Sequence, residues 1–96
     1  MLHLVFQSPL QTATLQRIGD GDAVLFLESA VLCLLKNSIY NSQLSKLLTT
    51  SRLFVLISDI ETRGIAAAEL VEGIEVIDYS GWVTLTTQHK PVQSWF

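Results

Sequence analysis

Short apolar runs alternate with amphipathic stretches along this chain, and the turn-forming residues fall between them. Leu2 to Phe6 predicts a first strand. It is closed by Ser8-Pro9, where proline withholds a donor from a sheet and pre-sets a turn or a helix start. A short helix over Leu10 to Ile18 and a turn at Gly19-Asp20-Gly21-Asp22 follow. Ala23-Val24-Leu25-Phe26-Leu27 is unbroken in its hydrophobicity, the pattern of a strand covered on both faces, and predicts a central strand. Ser29 then predicts the cap of a helix running through Leu35. After a break at Asn37 to Asn41, Ser42 to Leu48 carries Leu44, Leu47 and Leu48 at helical spacing.

Leu53-Phe54-Val55-Leu56-Ile57 is the second fully apolar strand, and Ser58-Asp59-Ile60-Glu61 behind it has the form of a capping box at a helix start. Gly64 or Gly73 closes the helical stretches that follow. Ile74-Glu75-Val76-Ile77 predicts a further strand. Asp78-Tyr79-Ser80 leads into a last helix, Gly81 to Gln88, in which three threonines lower the helical preference, and Lys90-Pro91 stops it. Strands alternating with helices predict βαβ units, right-handed crossovers and a mainly parallel sheet with helices on both faces, a three-layer α/β domain spanning residues 1–96. In such sheets ligands sit beyond the carboxyl ends of the strands. Here these are Gln7-Ser8, Glu28-Ser29, Ser58-Asp59 and Asp78-Tyr79-Ser80.

Composition changes this picture in one respect. Half the chain is hydrophobic (49%), its mean hydropathy is +0.40, and only 16% is charged, against roughly 25% in ordinary soluble domains. A chain of 96 residues buries about two-thirds of its unfolded surface when it folds alone, so this is more apolar surface than one small core needs. The longest apolar stretch, Ala23 to Leu35, is interrupted by Glu28 and Ser29 and is shorter than the ~20 residues that cross a bilayer. The start of the chain lacks the features of a secretory signal, which makes the cytoplasm the expected compartment. Nine acidic and six basic residues without a Lys/Arg cluster argue against a direct grip on nucleic acid. The surplus therefore points to association with other protein chains.

Candidate chemistry is sparse. Cys33, the single cysteine, excludes an internal disulfide and is the one candidate covalent nucleophile. Its neighbours Val31, Leu32, Leu34 and Leu35 disfavour a thiolate, although Lys36, three residues on, would sit near it on a helix. His3 and His89 lie near opposite ends of the chain and meet only if the fold brings them together. The strand-end carboxylates Glu28, Asp59 and Asp78 fit either a shared crevice or turns and helix caps. Gly19-Asp20-Gly21-Asp22 precedes a strand, whereas a phosphate loop follows one and opens a helix, so it reads as a turn. Trp82, Trp95 and Phe96 lie close to the chain's end, where they fit either a protein interface or packing on their own core. Gathered around one crevice, the strand-end carboxylates would suit a metal or a general base; as turns and caps they need neither, and no cofactor and no metal is the expectation.

At these residues the sequence resembles the TusB/DsrH family, small subunits of the TusBCD and DsrEFH sulfur-relay complexes. Leu2-His3 and Ser8-Pro9 resemble the family's N-terminal strand and turn. Asp59-Ile60-Glu61-Thr62-Arg63-Gly64 is similar to its Asp-Leu-x-x-Arg-Gly segment. Ile77-Asp78-Tyr79, Val83-Thr84-Leu85-Thr86, His89, Gln93 and Trp95 resemble its closing signature, with Trp82 where phenylalanine is usual. The resemblance implies a flavodoxin-like DsrE/DsrF/DsrH-type fold and a place beside TusC-like and TusD-like chains in a heterohexamer of two heterotrimers. Such a complex takes persulfide sulfur from a TusA-type carrier and passes it through TusE toward 2-thiouridine at the tRNA wobble position, with the relaying cysteine on the TusD-type chain. DsrH-type members carry a cysteine in the first helical segment. Leu10 to Ile18 has none, and Cys33 falls elsewhere, which favours a non-catalytic, TusB-like role. Three other readings compete with it: a sulfur carrier in its own right using Cys33, a DsrH-like subunit of dissimilatory sulfur metabolism, and a homo-oligomeric binder of small ligands through the strand-end carboxylates. Under the first, TusB-like reading, the chain expressed alone is expected to be poorly soluble or to self-associate.

Overall fold

In a computed structural model, residues 1–8 and 12–95 are described. They form five strands, β1 (Leu2–Val5), β2 (Ala23–Phe26), β3 (Arg52–Leu56), β4 (Glu75–Ile77) and β5 (Val92–Trp95). The helices are α1 (Thr12–Arg17), α2 (Asn41–Leu47), α3 (Ile57–Thr62) and α4 (Tyr79–Gln88), with 3-10 segments at Glu28–Leu34 and Ala67–Glu69. The strands make one sheet in the order β4-β3-β2-β1-β5, and all four pairings are parallel. The expected parallel α/β architecture is the one observed.

The strand order dictates the layers. From β1 to β4 each crossover steps the same way across the sheet, so right-handed connections place α1, the first 3-10 helix, α2 and α3 on one face. The last crossover runs back past three strands to the far side of β1, which places α4 on the other face. Two hydrophobic clusters follow. Val5, Val24, Phe26, Leu53 and Val55 pack beneath the first group of helices with Leu34, Leu44 and Ile60. Leu2, Leu4, Leu25, Phe54 and Leu56 face α4, which contributes buried Leu85 and partly buried Trp82. β2 is buried throughout, as its unbroken apolar run requires. Among the described residues no helix is long and apolar enough to cross a membrane.

Two local expectations need correction, and one strand was not anticipated. The stretch from Ser29 is a 3-10 helix from Glu28, with extended Leu27 at its cap position and no side-chain cap. The Ser29 hydroxyl instead donates to the carbonyl of Phe6 at 3.3 Å. The capping box at Ser58 does not form, because α3 starts at Ile57 directly from β3, with Leu56 at its cap and no side-chain cap bond. Ser58 then lies inside the first turn, and its carbonyl accepts from the Thr62 hydroxyl at 2.7 Å. β5 has no counterpart in the apolar pattern, since only Val92 and Trp95 of its four residues are hydrophobic. Pairing with β1 makes it a strand, through bonds such as Phe6 N–H to Trp95 C=O at 3.1 Å. The Leu10–Ile18 helix is described from Thr12, and Pro9, Leu10 and Gln11 lie outside the described residues.

Gly64 ends α3 as expected. With φ at +68°, it lets Gly64 N–H reach the Glu61 carbonyl (3.0 Å) and Ile65 N–H reach the Ile60 carbonyl (2.9 Å), the paired bonds of a Schellman motif. A Cβ at Gly64 meets nothing within 4 Å, so only the backbone conformation opposes one. Gly64→Ala should therefore lower stability by about 1–2 kcal/mol, read as a fall in the urea midpoint with an unchanged m-value.

Candidate functional site

The carboxyl ends of β1, β2 and β3 converge through short hydrogen bonds. Ser29 Oγ donates to Phe6 C=O and accepts from Ser8 N–H at 3.3 Å. Glu28 sits at φ +51°, a left-handed conformation that a non-glycine residue adopts only when its surroundings hold it. The Asp59 carboxylate, which accepts from Glu28 N–H at 2.8 Å, provides that hold. Asp59 is thus a clamp between the β2 and β3 ends, while Asp78 caps α4 by accepting from Gly81 N–H at 2.9 Å. The strand-end carboxylates act separately, and among the described residues no group of three or more His, Cys, Asp or Glu side chains is placed to hold a metal ion.

Cys33 lies in the 3-10 helix, 2% exposed, with Sγ donating to Ser8 Oγ at 3.5 Å. Lys36 does not neighbour it in the manner of a helical i,i+3 pair. The 3-10 segment ends at Leu34, Leu35 turns extended into a bridge with Leu70, and Lys36 N–H bonds to the Glu69 carbonyl. The thiol therefore packs as a small hydrophobe among Val31, Leu34 and the other core residues of its cluster.

The most connected polar group is His3, 1% exposed in β1. Its Nε2 lies 2.9 Å from Asp22 Oδ2, and its Nδ1 lies 3.1 Å from the indole Nε1 of Trp95. An indole N–H can only donate, so Nδ1 must be the lone-pair acceptor and Nε2 carries the hydrogen toward Asp22. The rings of His3 and Trp95 are nearly parallel, with centroids 6.3 Å apart. Asp22 also accepts from Gly19 N–H (2.9 Å) and from the Met1 amino group (3.1 Å). Desolvation raises its pKa, but the bonds from His3, Gly19 and Met1 outweigh this and lower it from 3.8 to about 2. The Gly19–Asp22 turn, read from sequence as a turn and nothing more, is thus half of a network tying β1, β2 and β5. With both ring nitrogens of His3 engaged, it has no hydrogen bond left for His89, which follows α4.

Of the three terminal aromatics, Trp82 is half-buried on α4, its ring edge-to-face with Tyr79 at 5.8 Å. Trp95 is half-buried against the helix-covered cluster, and Phe96 lies outside the described residues. A groove of about 290 Å³ runs beside α4, lined by Leu4, Tyr79, Trp82, Val83 and Thr86.

This parallel α/β domain belongs to the DsrH-like family: the family model described as "DsrH like protein" matches residues 6–92. Its relatives carry a more particular name. The chain is 32% identical over 98 residues to Protein TusB of Cronobacter sakazakii, covering 99% of this chain and 100% of the relative. It is 34% identical over 99 residues to Protein TusB of Yersinia enterocolitica, with the same coverage. The fold also resembles a solved structure of a protein of unknown function, MTH1491, from Methanobacterium thermoautotrophicum. The TM-score is 0.75 at 15% identity, covering 98% of this chain and 96% of that one.

Two outcomes follow from the His3 network. Because the Asp22 pKa is lower folded than unfolded, the charged carboxylate stabilises the fold above about pH 4, and that stability is lost as pH falls toward 2. The loss should be about 2 kcal/mol, and urea midpoints between pH 5 and pH 2 should show a shallower decline in Asp22→Asn. Trp95→Phe leaves His3 Nδ1 buried without a donor and should cost about 1–3 kcal/mol, measured by thermal or urea unfolding.

Proposed function

We propose that this chain is a non-catalytic subunit of a TusBCD-type sulfurtransferase complex in the cytoplasm, which relays persulfide sulfur toward 2-thiolation of the tRNA wobble uridine. The observation that carries the reading is the burial of its one thiol. Sulfur passes between cysteines when a thiolate attacks a sulfane sulfur in line, and the attacking group has to be reached by its donor. Cys33, 2% exposed and bonded to Ser8, offers no such access. Membership of the DsrH-like family and end-to-end similarity to TusB proteins supply the context. The relaying cysteine then belongs to a TusD-like chain, and TusC-like and TusD-like subunits complete a heterohexamer that deals with TusA- and TusE-type carriers. The protein touches no nucleic acid itself. Trp82 with the exposed part of Trp95, and Phe96 beyond it, contribute contacts to these chains.

The experiment is co-expression with TusC-like and TusD-like chains, purification of the complex, and incubation with a persulfide donor before intact-mass analysis. A sulfur adduct is expected on the TusD-like chain and none on this one, with Cys33→Ala assembling and relaying normally. A stoichiometric adduct on this chain that disappears in Cys33→Ser would overturn the proposal.

A further inference from the structure

The partners of His3 leave its ring room for one proton only. Nε2–H donates to Asp22 at 2.9 Å, and Nδ1 takes the indole N–H of Trp95 at 3.1 Å. A second ring proton would have to sit on Nδ1, where the indole already points its own, and neither group could then accept. The ring faces offer no compensation. With the N–H···N bond between them and centroids 6.3 Å apart in nearly parallel planes, the rings meet edge to edge, so the indole turns its positive rim toward the imidazole.

The bond on the other side of the ring survives the change. Nε2–H donates to Asp22 in both charge states, and the carboxylate, whose pKa is lowered to about 2, stays ionised across the range in which imidazoles charge. It therefore supplies the counter-charge that a buried imidazolium requires. The other charged groups nearby are turned away or already engaged. The Met1 amino group is held by the second oxygen of Asp22, and Arg52, whose N–H bonds to Asp22 C=O, is exposed and paired with Glu75. Arg17 at the end of α1, Asp20 in the turn and Lys90 ahead of β5 are exposed, and β1, β2 and β5 carry no other ionisable side chain.

β5 itself is held on one side. It lies at the sheet edge beside β1, Val92 and Gln93 are exposed, and Trp95 is its one side chain packed on either hydrophobic cluster. Whatever loosens Trp95 therefore acts on the single anchor of an edge strand, and such a segment opens at lower cost than the whole fold.

We propose that β5 is an acid-released latch: a second ring proton on His3 expels the Trp95 indole, and β5 opens from β1, baring the imidazole and the sheet edge. Docked β5 needs Nδ1 unprotonated, so its hold is full where the ring is neutral and is lost as pH falls and the ring charges. The core of the sheet stays closed, because the bond from Nε2 to Asp22 persists. Opening frees the N–H groups of Leu2 and Phe6, which donate to Pro91 and Trp95 C=O in the docked state. The latch is independent of the sulfur-relay role proposed above, since it requires only residues of this chain.

Hydrogen exchange of the full chain, followed by mass spectrometry, reads the latch, and NMR of the histidine rings reads the proton, with His89→Gln assigning the His3 signal. With intrinsic exchange rates corrected for, residues 91–95 should lose protection roughly 10-fold or more relative to residues 23–26 between about pH 8 and about pH 5, in step with protonation of His3. Trp95→Phe removes the coupling, so β5 should exchange as fast at the higher pH as at the lower. Asp22→Asn withdraws the counter-charge and should move protonation and opening to lower pH together. A His3 ring that stays neutral throughout, protonation without a change in residues 91–95, or an equal loss in residues 23–26, the mark of global unfolding, would each overturn the latch. So would a pH step that survives in Trp95→Phe. The unsubstituted chain decides the matter even where a variant does not fold.

Discussion

A buried imidazole inside a parallel sheet imposes a strict requirement, because the strand ladders consume the backbone donors and acceptors around it and leave its two nitrogens to side chains. His3 meets the requirement with partners on both neighbouring elements, Asp22 at the entrance to β2 and Trp95 on β5. The indole fixes the tautomer, and the tautomer fixes the direction of the bond to Asp22. Leaving either nitrogen unpaired in the core would cost more than most single packing contacts contribute. The network therefore demands that β5 run beside β1 in the register that sets Trp95 against Val5, close enough to reach back to His3.

That placement has consequences on the other side of the sheet. A chain that has stepped from β1 to β4 can reach the free edge of β1 only by crossing back, and a right-handed return must carry α4 over the opposite face. Four helical segments share one face, while α4 alone serves the other. The imbalance is thus topological. It leaves the β5 edge of the α4 face, with Val92 42% exposed, short of cover.

The elements legible in the sequence were those whose signal is local. β2 and β3 announced themselves as unbroken apolar runs, while Gly64 was one of two candidate helix ends and Asp78 fitted either a cap or a shared crevice until the fold decided. β5 was hidden because its Val-Gln-Ser-Trp sequence becomes a strand only when the edge of β1 is there to pair with it. The 3-10 helix at Glu28 was read as α because the apolar spacing of Ala30 to Leu34 suits either, and the left-handed turn at Glu28 that shifts its start depends on Asp59, 31 residues away. At the candidate site, the burial of Cys33 among apolar residues could be read from its neighbours. The role of His3 could not, because its partners lie 19 and 92 residues distant and one of them sits in a turn whose composition explains itself.

The surplus of apolar surface can now be located. Ile39, Leu32 and Ile57 are exposed on separate elements, a loop, the 3-10 helix and the start of α3, as single apolar residues are on most proteins. Tyr79, Trp82 and Val83 differ because they adjoin, line one groove, and belong to a helix that carries no charge and has turned its threonine hydroxyls inward. Contiguity and the lack of charge together distinguish an interface from ordinary surface. A reactive thiol needs access, and this chain has buried its only thiol while leaving outside the one described helix that carries no charged residue. In the sulfur relay proposed above, that contrast supports a division of labour in which the chemistry falls to a partner with an accessible cysteine and this chain contributes surfaces to the assembly.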